Sequence, residues 1–448
     1  MSSSQPSILV YGATSFTALQ FIEYIESHSQ AKAFHTILAG RNGAKLEKLN
    51  AKLGGKWDTV AFELEDDQVV QGHVERCSIV VNFAGRSWSY RLSGKDFELI
   101  GWDAAGPFKD NNAEMLVRAC ATLGKHYVDL TGEATWLAND IIPKYDFLAS
   151  KTGACIVPAC GFDAVPFDLV VYSSLRSLQT AHPEASIVTS KSFVKAKGSI
   201  SGGTLASVLS VADLPRRERN DGEWGMIPNQ KQPDTPVRML YSAFPSVGRA
   251  LYGSVFPFYI FNRALVRRSW FLSRLSIAGN DEPRHGEVFA HEEGLRTGNS
   301  PVMAVLVSAV IVVVGALFMG SKLIRSILMK ALPQPGEGVS RKELDDGFID
   351  ITHYATSDSN PPVEILTKYV ASGDPGYLHT AHILAESALS LILPPPKGTQ
   401  LPPLGKIGGV LTPSTAMGMV LVERLRQNGC AKIESEILKP GGRSLEGN

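Results

Sequence analysis

Cysteine is scarce in this chain of 448 residues: Cys77, Cys120, Cys155, Cys160 and Cys430 form no CxxC pair and no disulfide-like spacing. That scarcity argues against a stapled secreted fold and predicts reduced thiols, buried as small apolar side chains. An excess of either charge is also missing. Lys plus Arg and Asp plus Glu number 44 each, so no net field recruits nucleic acid. The opening Met-Ser-Ser-Ser-Gln-Pro lacks the basic flank and apolar core of a secretory signal, which predicts an intracellular protein. No Ser/His/Asp set, metal-ligand spacing or nucleoside-triphosphate loop is visible. What remains has the 44% hydrophobic content of a folded protein, and the length suits two domains.

The most informative stretch is Ile8-Leu9-Val10-Tyr11-Gly12-Ala13-Thr14-Ser15-Phe16-Thr17-Ala18, followed at once by an amphipathic helical pattern. A short apolar run, a Gly turn and a helix read as the first strand, phosphate loop and helix of a dinucleotide-binding fold. Gly12 supplies the turn. The helix N-terminus offers unpaired N–H groups and a partial positive charge to a pyrophosphate. Gly12, Ala13, Thr14, Ser15, Phe16 and Thr17 are therefore the expected phosphate-side residues, with Ser15 and Ala18 standing where further glycines belong. The second strand exits through Gly40-Arg41. An acid there would favour NAD, whereas the guanidinium of Arg41 suits a 2′-phosphate and predicts NADPH in preference to NAD. Asn82 closes a fourth apolar strand, Ser78 to Ala84, at the edge where such folds bind ligands.

Strands and helices alternate up to about Leu178, the α/β signature. Within this part Arg86–Ala105 is foreign in texture, and the Ala84-Gly85 dipeptide before it recurs as Ala105-Gly106. It reads either as a retained intron or as an active-site lid. Residues 214–299 read as irregular, while Gly347–Ala355 and Val363–Val370 alternate like paired strands. Between them no charge interrupts the run from Arg296 to Lys322, long enough to enter or cross a bilayer, with Lys322, Arg325 and Lys330 after it. The expected layout is a dinucleotide-binding domain over 1–185, an α+β substrate or dimerisation domain over 186–400 holding the apolar segment 300–321, and a C-terminal helix and tail over 401–448.

Several of these pieces, in order along nearly the whole chain, resemble the saccharopine dehydrogenase-like oxidoreductases, including the trans-acting enoyl reductases. They are Gly12–Ala18, Ala39-Gly40-Arg41-Asn42, Gly106-Pro107-Phe108, Tyr127–Glu133, Cys160–Pro166, Ser201–Thr204, Asp374–Tyr377 and Gly408–Pro413. The resemblance implies a Rossmann-type parallel sheet with a second α+β domain, and membrane or lipid-droplet association as in eukaryotic relatives. It gives Arg86–Ala105 no counterpart.

The expected chemistry is hydride transfer from NADPH to a hydrophobic acyl, polyketide or lipid-like substrate, free or carrier-bound. Such a reduction needs a proton donor and a hydrogen bond to the substrate carbonyl. Tyr127, Asp129 and Glu133 are the candidates at the expected crevice, beside Asn82. The expected partners are that substrate and a membrane surface, with room for a homodimer and none for nucleic acid or a metal. Two other functions remain open: a non-catalytic scaffold at a lipid surface, and a saccharopine-type amino-acid dehydrogenase.

Overall fold

Seven short apolar segments, separated by turn residues and amphipathic helices, build the first sheet. A computed structural model describes residues 5–84, 108–199, 214–215, 218–220, 222–229, 234–275, 283, 285–321 and 339–438. Arg86–Ala105, Ser201–Thr204, Arg216-Arg217, Lys322, Arg325, Lys330 and the final ten residues lie outside them. The chain opens with β1 (Ser7–Tyr11), α1 (Phe16–Ser27), β2 (His35–Gly40), α2 (Gly43–Lys52), β3 (Asp58–Ala61), α3 (Asp67–Val74) and β4 (Ile79–Asn82). After the undescribed stretch come α4 (Ala113–Leu123), β5 (His126–Asp129), α5 (Ile142–Thr152), β6 (Cys155–Val157) and α6 (Val165–Ala181).

These strands are all parallel, in the order β3-β2-β1-β4-β5-β6. That is the doubly wound order in which ligands bind beyond the strand ends, where the order reverses between β1 and β4. Val80, Val81, Ile8, Val10, Val128 and Ile156 have no exposed surface, as expected of strands covered on both faces by helices. All five cysteines are buried and unpaired.

The second sheet holds β7 (Ile187–Lys197), β8 (Tyr241–Ala243), β9 (Leu251–Ser254), β10 (Ala290–Arg296), β11 (Phe348–Ser357), β12 (Glu364–Ser372) and a late strand from the C-terminal part of the chain. β7 and β10 run parallel and the other pairings are antiparallel. The region that reads as irregular, 214–299, thus contributes three strands and helix α7 (Tyr259–Ser273). The alternation of Phe348–Ser357 and Glu364–Ser372 does build an antiparallel pair. The apolar run forms α8 (Pro301–Gly320), and α9 spans Thr380–Ile392.

The C-terminal part returns to both sheets. β13 (Gly409–Val410) pairs with β6 in the first, α10 (Pro413–Gln427) packs back against α6 and α9, and β14 (Lys432–Ile437) pairs with β12 in the second. A buried ionic knot joins the parts: Arg424 donates to Glu386 at 2.9 Å and to Gln30 at 2.8 Å, and Glu386 also takes Tyr24 and His28 of the first domain.

Candidate functional site

A glycine has to follow β1. Gly12 has φ +81°, and a methyl group on it would sit 2.8 Å from both Ala84 N and Phe83 C. The turn after β1 therefore lies directly on the exit of β4, at the reversal of strand order. The Gly12 and Ala13 N–H groups donate to Ala39 O, at 2.9 and 3.1 Å, tying the loop to β2 as well. Ser15 caps α1, its hydroxyl accepting the Ala18 N–H at 3.3 Å. Ala18 is fully buried, so its methyl group, at a position where the fingerprint places a glycine, is absorbed by the core.

Beyond this turn lies a cavity of about 570 Å³, within the roughly 300–1,000 Å³ usual for small-molecule sites. Gly12, Thr14, Ser15 and Arg41 line it, which brings together four of the residues expected at a coenzyme. The other four have different surroundings. Ala13 and Thr17 are buried, Phe16 sets its ring edge-on to Tyr377 with centroids 5.0 Å apart, and Asn82 has no exposed surface. The cavity also takes in Asn42, from the matching stretch that holds Arg41, and Lys45, Glu63 and Glu65, which no sequence pattern singles out. Asn42 caps α2, its Oδ1 accepting the Lys45 N–H at 3.0 Å. That Asn, placed before a helical pattern, is a readable helix-start signal. The wall thus carries two cations, Arg41 and Lys45, together with the acids Glu63, Glu65 and Asp110. Behind them Tyr11 donates to Phe62 O at 3.0 Å, and burial pushes its hydroxyl up to about 12.

The residues expected to carry proton chemistry are arranged differently. Asn82 donates to the Tyr127 hydroxyl at 3.0 Å, and Tyr127 donates to Asp129 Oδ2 at 2.8 Å. Asp129 Oδ1 accepts the N–H groups of Thr131 and Ala159, both at 2.9 Å. Asn82, Tyr127 and Asp129 have no exposed surface and Glu133 is 3% exposed. Glu133 stands apart from the chain of three, its carboxylate accepting the Phe108 and Lys109 N–H groups at 2.6 and 3.3 Å. Burial pushes Asp129 up to about 6 and Glu133 up to about 7. None of these four side chains lines the cavity. Their bonds hold the ends of β4, β5 and β6 in register and anchor the chain where it re-enters at Phe108. Among the described residues no group of His, Cys, Asp and Glu could hold a metal ion.

A seven-strand, doubly wound parallel sheet, a glycine-bounded turn at its reversal point and a cavity beside that turn define a Rossmann-type α/β protein. No family model matches the chain. Similar proteins include one of Mycobacterium tuberculosis, provisionally named a trans-acting enoyl reductase, 30% identical over 444 residues that cover 94% of this chain and 96% of that one. The trans-acting enoyl reductase of Mycobacterium leprae is 29% identical over 451 residues, covering 94% and 96%. Among solved structures, apo saccharopine dehydrogenase (L-Glu forming) of Saccharomyces cerevisiae aligns with 97% of this chain and 100% of its own, at TM-score 0.49 and 11% identity. The chain belongs to the trans-acting enoyl reductase family of oxidoreductases.

Proposed function

We propose that the protein is an NADPH-dependent reductase of activated carbon–carbon double bonds in a hydrophobic acyl, polyketide or lipid-like substrate, working at an intracellular lipid surface. The observation that carries this reading is the cavity beside Gly12, with Arg41 and Lys45 in its wall. The residues present fit the coenzyme. Gly12 keeps the turn against β4, the first turn of α1 offers its positive end to the pyrophosphate, and Arg41 with Lys45 suits the 2′-phosphate. Bound there, the reduced nicotinamide supplies the hydride. Asn82, Tyr127 and Asp129 act as positioning residues, because their polar groups are engaged with one another and with backbone that shapes the strand ends.

Helix α8 supports the lipid part of the proposal. Its 20 residues extend about 30 Å, the thickness of a bilayer's hydrocarbon core. It is the one helix among the described residues long and apolar enough to cross a membrane. Val302, Leu306, Val310 and Val313 are 66%, 56%, 63% and 56% exposed. Covering each such side chain with lipid is worth up to about 1.5–3 kcal/mol.

Fluorescence titration of detergent-purified protein with NADPH and NADH tests the coenzyme. NADPH should bind more tightly, and Arg41→Ala should weaken it about 10–100-fold, the value of a lost charge-assisted contact, while leaving NADH nearly unchanged. Failure of both coenzymes to bind overturns the reading. That outcome would favour a non-catalytic scaffold, the reading to which Ser15, Ala18 and the internally bonded Gly12 and Ala13 N–H groups lend support.

A further inference from the structure

At the far end of the first sheet's carboxyl edge, one acid is placed unlike its neighbours. Asp163 follows β6 and precedes α6, and it is half-buried, whereas Asp129 and Glu133 are sealed. Its carboxylate lies between two glycines, one beyond each of β5 and β6. A methyl group at Gly132 would be 3.7 Å from Oδ2, and one at Gly161 would be 3.5 Å from Oδ1. Two side chains that could cover the carboxylate are thereby missing.

The turn that carries Asp163 is held under strain. Ala159 has φ +60°, a left-handed conformation that costs a non-glycine residue on the order of 1 kcal/mol. Asp129 holds it there, its side chain accepting the Ala159 N–H and its backbone carbonyl accepting the Cys160 N–H at 2.7 Å. Strain that the surroundings enforce is characteristic of a site where a side chain must be aimed. The turn is also tied to the phosphate loop. Phe162 N–H donates to Thr380 Oγ1 at 3.1 Å, and Thr380 donates to Pro375 O at 2.8 Å. Two residues on, Tyr377 packs against Phe16. One element, the Pro375–Thr380 turn, thus touches both the start of α1 and the turn after β6.

Strand order then sets the direction. The cavity lies beyond β1, β2 and β4, where Arg41 and Gly12 mark the adenosine and pyrophosphate side. β5 and β6 follow β4 in steps of about 4.8 Å, so their ends face the opposite half of an extended dinucleotide. We propose that Asp163 faces the nicotinamide end of the bound coenzyme and stabilises the positive charge the ring carries in its oxidised form. Asp163 supplies a negative charge that interacts with the cationic oxidised ring and hardly at all with the neutral reduced one. In a reductase this favours the hydride-donating transition state, in which that charge is developing. The inference rests on the reading of the cavity as an NADPH site.

Burial holds the Asp163 carboxyl up at about 6, so its charge is present above that pH and lost below it. Among the described residues, five ionisable groups on the elements adjoining this turn are engaged elsewhere. Asp129 and Glu133 accept backbone N–H groups, Asp374 accepts those of Ser199 and Tyr377, His379 bonds the Tyr369 hydroxyl, and Asp168 accepts Ser269 and Ser414.

The test is calorimetric titration of the full-length protein with NADP⁺ and with NADPH at pH 5 and pH 8. For the wild type, the NADP⁺ to NADPH affinity ratio should rise about tenfold from pH 5 to pH 8, the size of one partly screened charge contact. Asp163→Asn should keep the pH 5 ratio at both pH values, while Asp163→Glu should retain the rise. A wild-type ratio that stays flat, or an Asp163→Asn protein that binds both forms with the wild-type profile, overturns the inference while leaving the NADPH site intact. Binding of neither form by the wild type overturns the site itself.

Discussion

Two helices beside the second sheet invert the usual rule of what goes inside. Helix α7 carries Arg263, Arg267 and Arg268, and they are 3%, 5% and 2% exposed. Helix α8 carries no charge at all and lies largely uncovered. The difference is one of partners. Arg267 donates to Glu223 at 2.5 Å and places its guanidinium 4.5 Å from the Trp224 ring centroid. Arg263 lies 3.7 Å from the same carboxylate and donates to Thr235 O at 2.6 Å. Arg268 donates to Met226 O and Val410 O at 2.9 and 2.5 Å. Burial works against the charge on Glu223, yet the Thr235 N–H and the two guanidinium groups hold its carboxyl below the usual range. Helix α8, by contrast, is tied by a buried serine. Ser308 donates to Met239 O at 2.7 Å and accepts the Val255 N–H at 2.9 Å, with Ala304 buried one turn earlier. Burial here follows satisfied bonds rather than side-chain polarity.

That contrast can be broken from either side. The largest effect should come from Arg267→Ala, which strands Glu223 as a buried, under-paired charge. A loss of about 3–5 kcal/mol is expected, read as a drop in the urea midpoint. Gly12→Ala, in the first sheet, should come next. The left-handed φ and the 2.8 Å approach to Ala84 leave no room for a methyl group, so a cost of about 2–3 kcal/mol is expected, together with loss of the NADPH-dependent rise in melting temperature. Ser308→Ala should follow at about 1–3 kcal/mol, because it leaves the Val255 N–H without its partner. Proteolysis confined to α8, with the rest of the fold intact, would sharpen the point that Ser308 helps to hold this helix in place. The smallest effect on stability should be that of Val310→Lys on the exposed face, within about 0.5 kcal/mol. The same substitution should nevertheless abolish co-flotation with uncharged phosphatidylcholine vesicles, where the added lysine gains no headgroup attraction and must face hydrocarbon. A folded, monomeric Val310→Lys protein that still floats would remove the lipid role of α8.

The first sheet is legible because its strands are short apolar runs punctuated by Gly12, Gly40 and Gly153, and parallel strands buried on both faces leave that trace. Helix α7 escapes the same reading. Arg263, Arg267 and Arg268 interrupt its apolar face, and the acid that draws two of them inward, Glu223, lies some 40 residues earlier in a segment without periodicity. The site divides in the same way. Gly12 and Arg41 announce themselves by local pattern, whereas Asp129 and Tyr127 show only their residue types, and their bonds to Ala159 and Asn82 come from tertiary placement. Lys45, Glu63 and Glu65 join the cavity wall through tertiary placement, for which no local spacing stands as a signal.

One small strand has a consequence for how the chain comes off the ribosome. β13 is two residues long, yet it flanks β6, where Gly409 N–H donates to Ala154 O and Leu411 N–H to Ile156 O. During vectorial synthesis β6 stays an open border until Gly409 has emerged, with the entire second sheet except β14 already translated. The nucleotide half of the molecule is therefore the first to start folding and among the last to be sealed.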